Sequence, residues 1–119
     1  MASHSNVPRR GDIWAAMLGN PGVRHWVVVV SLDSRNMSDH IDSVLIVPFG
    51  SQGVNGPTTI KFEPGETGLP GPSYVKGHFI TTLKKSALVE RLPRPLSALK
   101  MQRVSLAIRR AFDPDSPFS

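Results

Sequence analysis

Four histidines occur in this 119-residue sequence, and two of them, His25 and His78, stand beside runs that read as β-strands. Histidine is the side chain whose unperturbed charge change falls near neutral pH, so it suits a base that takes a hydroxyl proton or an acid that protonates a leaving oxygen. With an arginine or lysine to hold developing negative charge, such a pair has the makings of metal-free acid–base chemistry at a phosphate. Metal chemistry has no comparable footing: there is no cysteine, and the histidines are scattered without ligand-like spacing or an accompanying carboxylate cluster. No metal and no cofactor is expected.

These residues must be held by a small β-rich framework. Residues 13–18 read as a first strand, and Gly19-Asn20-Pro21-Gly22 as the turn of a hairpin. The run 26–32 is almost wholly apolar and β-branched, which suits a central strand covered on both faces. Residues 33–38 break the pattern with room for one helical turn, and 43–47 form a third strand terminated by Pro48. Residues 50–57 are an exposed loop, 58–62 a fourth strand, 63–72 a Gly- and Pro-rich loop, 74–80 a fifth strand and 84–89 a short helix. Pro95 opens the first turn of a final helix that Asp113-Pro114 stops. In it Met101, Val104, Ala107, Ile108 and Ala111 form one apolar stripe, while Leu106 falls off the stripe, where it would help bury a partner surface. The expected result is a twisted, mostly antiparallel sheet with one terminal helix packed across it. Residues 1–9 read as a flexible leader, 10–112 as a single domain and 113–119 as a loose tail.

A chain of this length buries one modest core, so oligomerisation is a natural supplement. Lysine and arginine total 14 against 9 acidic residues, and the isoelectric point near 10.3 favours polyanions or an acidic protein partner. Lys84, Lys85, Arg91, Arg94, Lys100, Arg103, Arg109 and Arg110 crowd the C-terminal third. They suit a solvated helix face, contacts to an RNA backbone, or a groove for an acidic segment that folds on binding. No apolar run approaches the roughly 20 residues of a membrane span, and no signal-peptide core is present, so a soluble cytoplasmic protein without membrane contact is expected.

Four landmarks in fixed order add to this reading: Arg10-Gly11-Asp12-Ile13-Trp14, Trp26-Val27-Val28-Val29-Val30-Ser31, Leu45-Ile46-Val47-Pro48-Phe49, and Ile80-Thr81-Thr82-Leu83-Lys84-Lys85 before the helical tail. Their order and spacing resemble the MazF/PemK (Kid-type) toxins, small metal-independent endoribonucleases of bacterial type II toxin–antitoxin systems. The resemblance spans residues 10–112. It implies a mainly β fold with a C-terminal α-helix, an SH3-like small barrel of twisted antiparallel sheet of the MazF/CcdB type, in a homodimer. It also implies sequence-selective cleavage of single-stranded mRNA by 2′-hydroxyl attack, which inhibits translation and growth, and neutralisation by an acidic antitoxin. The alternative it leaves open is a toxin or inactive homologue of the same fold that acts by protein or nucleic-acid binding, gyrase inhibition for example, without cutting RNA.

The resemblance also directs attention to particular residues. Relatives carry Arg-Pro-Val-Leu-Val-Val-Ser on the second strand with a catalytic arginine; in register, His25 takes that position with Arg24 next to it. Neighbours in a strand point to opposite faces, so Arg24 regains the role only through a slip or a bulge. The relatives' Val-Pro-Ile-Thr-Ser becomes Val47-Pro48-Phe49-Gly50-Ser51, where Gly50 lacks the hydroxyl and Ser51 is its substitute or a plain loop serine. Their Val-Arg-Cys-Asp-Gln-x-Arg-Thr becomes Val75-Lys76-Gly77-His78-Phe79-Ile80-Thr81-Thr82, so Lys76 and His78 take the acid and base positions, on one sheet face if the strand is regular. Phe79 and Thr81 replace a glutamine and an arginine that contact RNA, and Phe79 is either a base-stacking or a core aromatic. The implied catalytic set is therefore His25 or Arg24, Lys76, His78 and Ser51, with RNA contacts from Arg10, Phe79, Thr81, Lys84 and Lys85. The Arg10-Gly11-Asp12-Ile13-Trp14 segment otherwise reads as structural, Gly11 permitting a tight bend and Trp14 packing.

Overall fold

Seven strands form one antiparallel sheet in the computed structural model, which describes residues 7–116. They are β1 (Ile13–Leu18), β2 (Val23–Val29), β3 (Ser43–Gly50), β4 (Thr59–Phe62), β5 (Ser73–Lys76), β6 (Thr81–Lys84) and β7 (Leu88–Arg91), with a single-turn helix α1 (Asp33–Asn36) and a C-terminal helix α2 (Ala98–Phe112). Most of the leader and the end of the tail, residues 1–6 and 117–119, lie outside the described residues.

The valine run of β2 explains the middle of the sheet. Val28 and Val30 enter a buried cluster with Ile13, Val47, Phe62 and Val75 that receives Met101, Val104, Ala107 and Ile108 of α2. Val27 and Val29 enter a second cluster with Trp14, Ala16, Val44 and Ile46 on the opposite side. Both faces are covered, as an uninterrupted apolar strand requires. The strand begins earlier than its composition suggests, at Val23, because β1 pairs with it throughout from Ile13↔Val28 to Leu18↔Val23.

The strand path is β4-β5-β3-β2-β1-β7, with β6 attached to β3 beside it. The twisted antiparallel sheet expected is present, and because its ends, β4 and β7, do not pair with each other, it is open and not a closed barrel. Helix α2 covers one face and thereby buries apolar surface that closure would otherwise have to hide. β3 changes partner along its length: Ser43–Ile46 pair with β6 and Phe49–Gly50 with β5. Pro48 stands at that change and does not terminate the strand, since a residue without an N–H interrupts a ladder least where the partner is switching.

Two further expectations fail for reasons of packing. Residues 84–89 are not a helix; β6 and β7 flank a single 3-10 turn at Lys85–Ala87, and Leu83 and Leu88 pack on the second cluster while their strands pair with β3 and β1. Pairing overrides local helical propensity here. Residues 74–80 are not one strand either, because β5 stops at Lys76 and a 3-10 turn covers Gly77–Phe79.

Helix α2 is capped by Ser97, whose hydroxyl accepts the Lys100 amide at 3.3 Å, and Pro95 precedes that cap instead of lying in the first turn. Ala111 is exposed, as is Phe112, so the buried stripe ends at Ile108 and the last turn overhangs the sheet. Beyond it the Asp115 amide donates to the Asp113 carboxylate at 2.9 Å and Ser116 is buried. At the other end Pro8 is buried and the Arg9 amide donates to the Asp12 carboxylate at 2.8 Å. Gly11 has φ +94° and its amide donates to Val29 at 2.8 Å, a left-handed bend that glycine tolerates. Burial raises the Asp12 carboxyl above its ordinary pKa, against the lowering effect of the Arg9 amide. No helix among the described residues is long and apolar enough to cross a membrane.

Candidate active site

The β2–β3 ladder ends at Val27↔Pro48. From there β2 stays with β1 as far as Val23, while β3 turns to β5 through Phe49↔Val75 and Gly50↔Tyr74. The two strands therefore splay, and a cleft of about 520 Å³ opens between Arg24, His25 and Trp26 on one side and Phe49, Gly50 and Ser51 on the other. Residues 69–73, two prolines among them, wall it. Arg24, His25 and Ser51, far apart in sequence, are thus brought together.

Register also distinguishes Arg24 from His25. β1 and β2 pair residue for residue with neither slip nor bulge, so alternation holds along β2. Arg24 falls on the side of Trp26 and Val28, where its guanidinium pairs with the Glu90 carboxylate and lies 5.8 Å from the Trp26 ring centre. His25 is exposed and falls on the side of Val27. Val75 lies in the cluster under α2, so its neighbour Lys76 projects to the other side of the sheet, the side of His25.

Lys76 and His78 both approach Phe79, though not by the strand spacing expected. The 3-10 turn exists because Gly77 lies against the backbone of α2: a Cβ there would be 2.5 Å from the Ala107 carbonyl carbon and the Ile108 nitrogen. The Gly77 amide donates to the Thr58 carbonyl at 2.7 Å, and His78 Nδ1 is hydrogen-bonded to the Thr58 hydroxyl at 3.0 Å. The His78 ring meets the edge of Phe79 with centroids 4.6 Å apart, and Lys76 Nζ stands 5.4 Å from the same ring. Phe79 is 52% exposed, so it is not a core aromatic. A base or acid beside a cation and an open aromatic face can hold a phosphate and an adjoining base.

The remaining candidates are dispersed. The Arg10 guanidinium donates to the Val30 carbonyl and the Ser105 hydroxyl, tying α2 to the strand it crosses. Lys85 Nζ donates to the Ser38 carbonyl at 2.9 Å, beyond the end of α1. Thr81 and Lys84 are exposed on β6. The basic residues of the C-terminal third form no single groove: Lys100 donates to the Glu66 carbonyl at 2.9 Å, Arg103 lies 5.1 Å from the Phe62 ring, Arg109 pairs with Asp113 at 3.5 Å, and Arg110 donates to the Pro57 carbonyl at 3.4 Å. Among the described residues no three His, Cys, Asp or Glu side chains gather as metal ligands would. Thr58 is a component that motif reasoning missed, and Trp26, though part of a landmark run, is given no role by it. Only Trp26 carried a signal, an aromatic at the start of a valine run.

The overall fold is shared with solved endoribonucleases and toxins. An endoribonuclease in complex with its cognate antitoxin, from Mycobacterial species, matches with a TM-score of 0.77 and 26% identity over 92% of this chain and 99% of that one. A second endoribonuclease from Mycobacterial species matches with a TM-score of 0.76 and 25% identity over 93% and 96%. The Mycobacterium tuberculosis toxin MazF-mt6 shares the fold, with a TM-score of 0.74 at 22% identity over 87% and 98%. Residues 9–112 match the family model of the PemK-like, MazF-like toxins of type II toxin–antitoxin systems, and the chain belongs to that family.

Proposed function

We propose that this toxin is a sequence-selective endoribonuclease that cuts single-stranded RNA without a metal and so halts translation and growth. The observation that supports it most is the near-complete likeness to a mycobacterial endoribonuclease, at 26% identity over 92% of the chain. In this reading the 2′-hydroxyl oxygen attacks the adjacent phosphorus and the bond to the 5′-oxygen breaks, leaving a 2′,3′-cyclic phosphate and a 5′-hydroxyl. His25 and His78 exchange the two protons, Lys76 holds charge on the phosphorane, and Ser51 positions the phosphate from the rim of the cleft. Arg24 is held by Glu90 and contributes charge nearby. Phe79, Thr81 and Lys84 lie along the RNA, while Arg10 and Lys85, whose side chains bond within the protein, serve the fold. The partner is an acidic antitoxin, and the working form is a cytoplasmic homodimer.

The test is incubation of the purified protein with long single-stranded RNA in EDTA. Defined cuts with cyclic-phosphate ends are expected, with a loss of about 100-fold or more in His25→Ala and His78→Ala. Intact RNA, or both variants cutting at the wild-type rate, overturns the assignment; intact RNA with inhibited gyrase would favour a binding toxin.

A further inference from the structure

The cleft between β2 and β3 contains more than the proposed chemistry uses. We propose that it is a nucleobase subsite, in which one unstacked base of the RNA lies against the Trp26 indole beside the scissile phosphate. The proposal rests on the ribonuclease reading for the phosphate, and on four independent features for the base.

Trp26 packs on the core cluster with part of its ring, and the rest lines the cleft. Stacking a base on an indole is sequence-tolerant and replaces the water on that exposed apolar surface. The walls facing it are apolar, contributed by Phe49, Leu69, Pro70 and Pro72, and at about 520 Å³ the cleft lies in the range that takes a small planar ligand. The lining itself carries Arg24 and His25 and no carboxylate, although the Glu90 carboxylate beside it engages Arg24 and offsets part of the charge offered to a phosphate at the rim. Finally, β2 and β3 run past the end of their shared ladder here, so backbone amides and carbonyls along their inner edges are available to read a base edge. Arg24 already stands over the indole, and a base would take or share that place.

Fluorescence reports directly on the proposal. Trp14 is 4% exposed, which leaves Trp26 as the indole a ligand can reach. The probe is a short RNA with 2′-O-methyl riboses throughout, which has no attacking hydroxyl and is not cut. Saturable quenching of tryptophan emission is expected, together with loss of quenching when one position of the probe is made abasic. By anisotropy of a labelled probe, Trp26→Leu should bind about tenfold more weakly, the loss of one stacking contact, while Trp26→Phe stays within about threefold of wild type. Thermal melts establish that both variants are folded. Unquenched emission with normal anisotropy overturns the subsite, as does wild-type affinity in Trp26→Leu, or quenching by an acidic peptide and not by RNA. Quenching without cleavage of unmodified RNA supports the subsite and sinks the nuclease reading, so the two fail separately.

Discussion

His25 stands on β2 and His78 on the 3-10 turn that follows β5, and their surroundings are built by opposite means. His78 rides on a turn pressed against a helix, with Gly77 touching the backbone of Ala107 and Ile108 and Thr58 bonded to both the turn and the imidazole. His25 stands where two strands part, exposed above a cleft walled by a Pro-rich loop. One region is over-determined by packing; the other is left open by the end of a ladder. In the proposed reading a small domain thus holds one reacting group rigidly while keeping room for a flexible polyanion beside another.

The contrast breaks first at Gly77. A side chain there would meet backbone that cannot turn aside, so Gly77→Val should lower stability by about 3 kcal/mol and the melting temperature by about 10 °C or more. Gly53→Ala is the control: its Cβ would come 2.9 Å from the Tyr74 ring, but in an exposed loop that can lift, and a loss under about 1 kcal/mol is expected. Equal losses in the two variants would show that the turn is no more constrained than the loop. Next in size is Thr58→Val, which removes the hydroxyl that orients His78 and keeps the side chain's shape. About a fivefold loss of cleavage with an unchanged melting temperature is expected, corresponding to about 1 kcal/mol for one hydrogen bond, and Thr58→Ser should restore the rate. No change in Thr58→Val would leave His78 held by packing alone.

Much of the rigid framework was legible in sequence because it is local. The valine run, the Gly19–Gly22 turn and the stripe from Met101 to Ile108 announce themselves by periodicity or turn chemistry. The site was legible only as a set of positions. That Lys76 and His78 share a neighbourhood was expected from strand spacing, but they share it through a 3-10 turn imposed by a helix some thirty residues later, which no local pattern encodes. The change of partner along β3, and hence the cleft, depends likewise on where β5 and β6 find room. A family motif points to Ser51 and His25 without revealing that the two strands carrying them splay into a cleft.

The entry to β1 also carries a pH signature. Burial raises the Asp12 carboxyl above the unfolded value of 3.8, so between that value and the raised one the folded state binds more protons than the unfolded chain. Stability therefore falls as pH rises through that window and is level above it. Asp12→Asn, which still offers an oxygen to the Arg9 amide, should flatten this fall in melts taken across acidic pH. An unchanged slope would place its cause elsewhere.

The smallest effect on stability is expected at the open side, where charge and not packing sets the arrangement. Arg24 and Glu90 pair with side chains 51% and 59% exposed, a setting in which an ion pair contributes about 1 kcal/mol at most. Glu90→Gln should therefore shift the melting temperature by only a few degrees. It also releases a guanidinium at the mouth of the cleft and removes a carboxylate that repels RNA, so affinity for the 2′-O-methyl probe should rise about two- to threefold at low salt and lose the gain as salt screens it. A large stability loss without a change in affinity would make the pair a structural clamp, and the open end would then be held as firmly as the closed one.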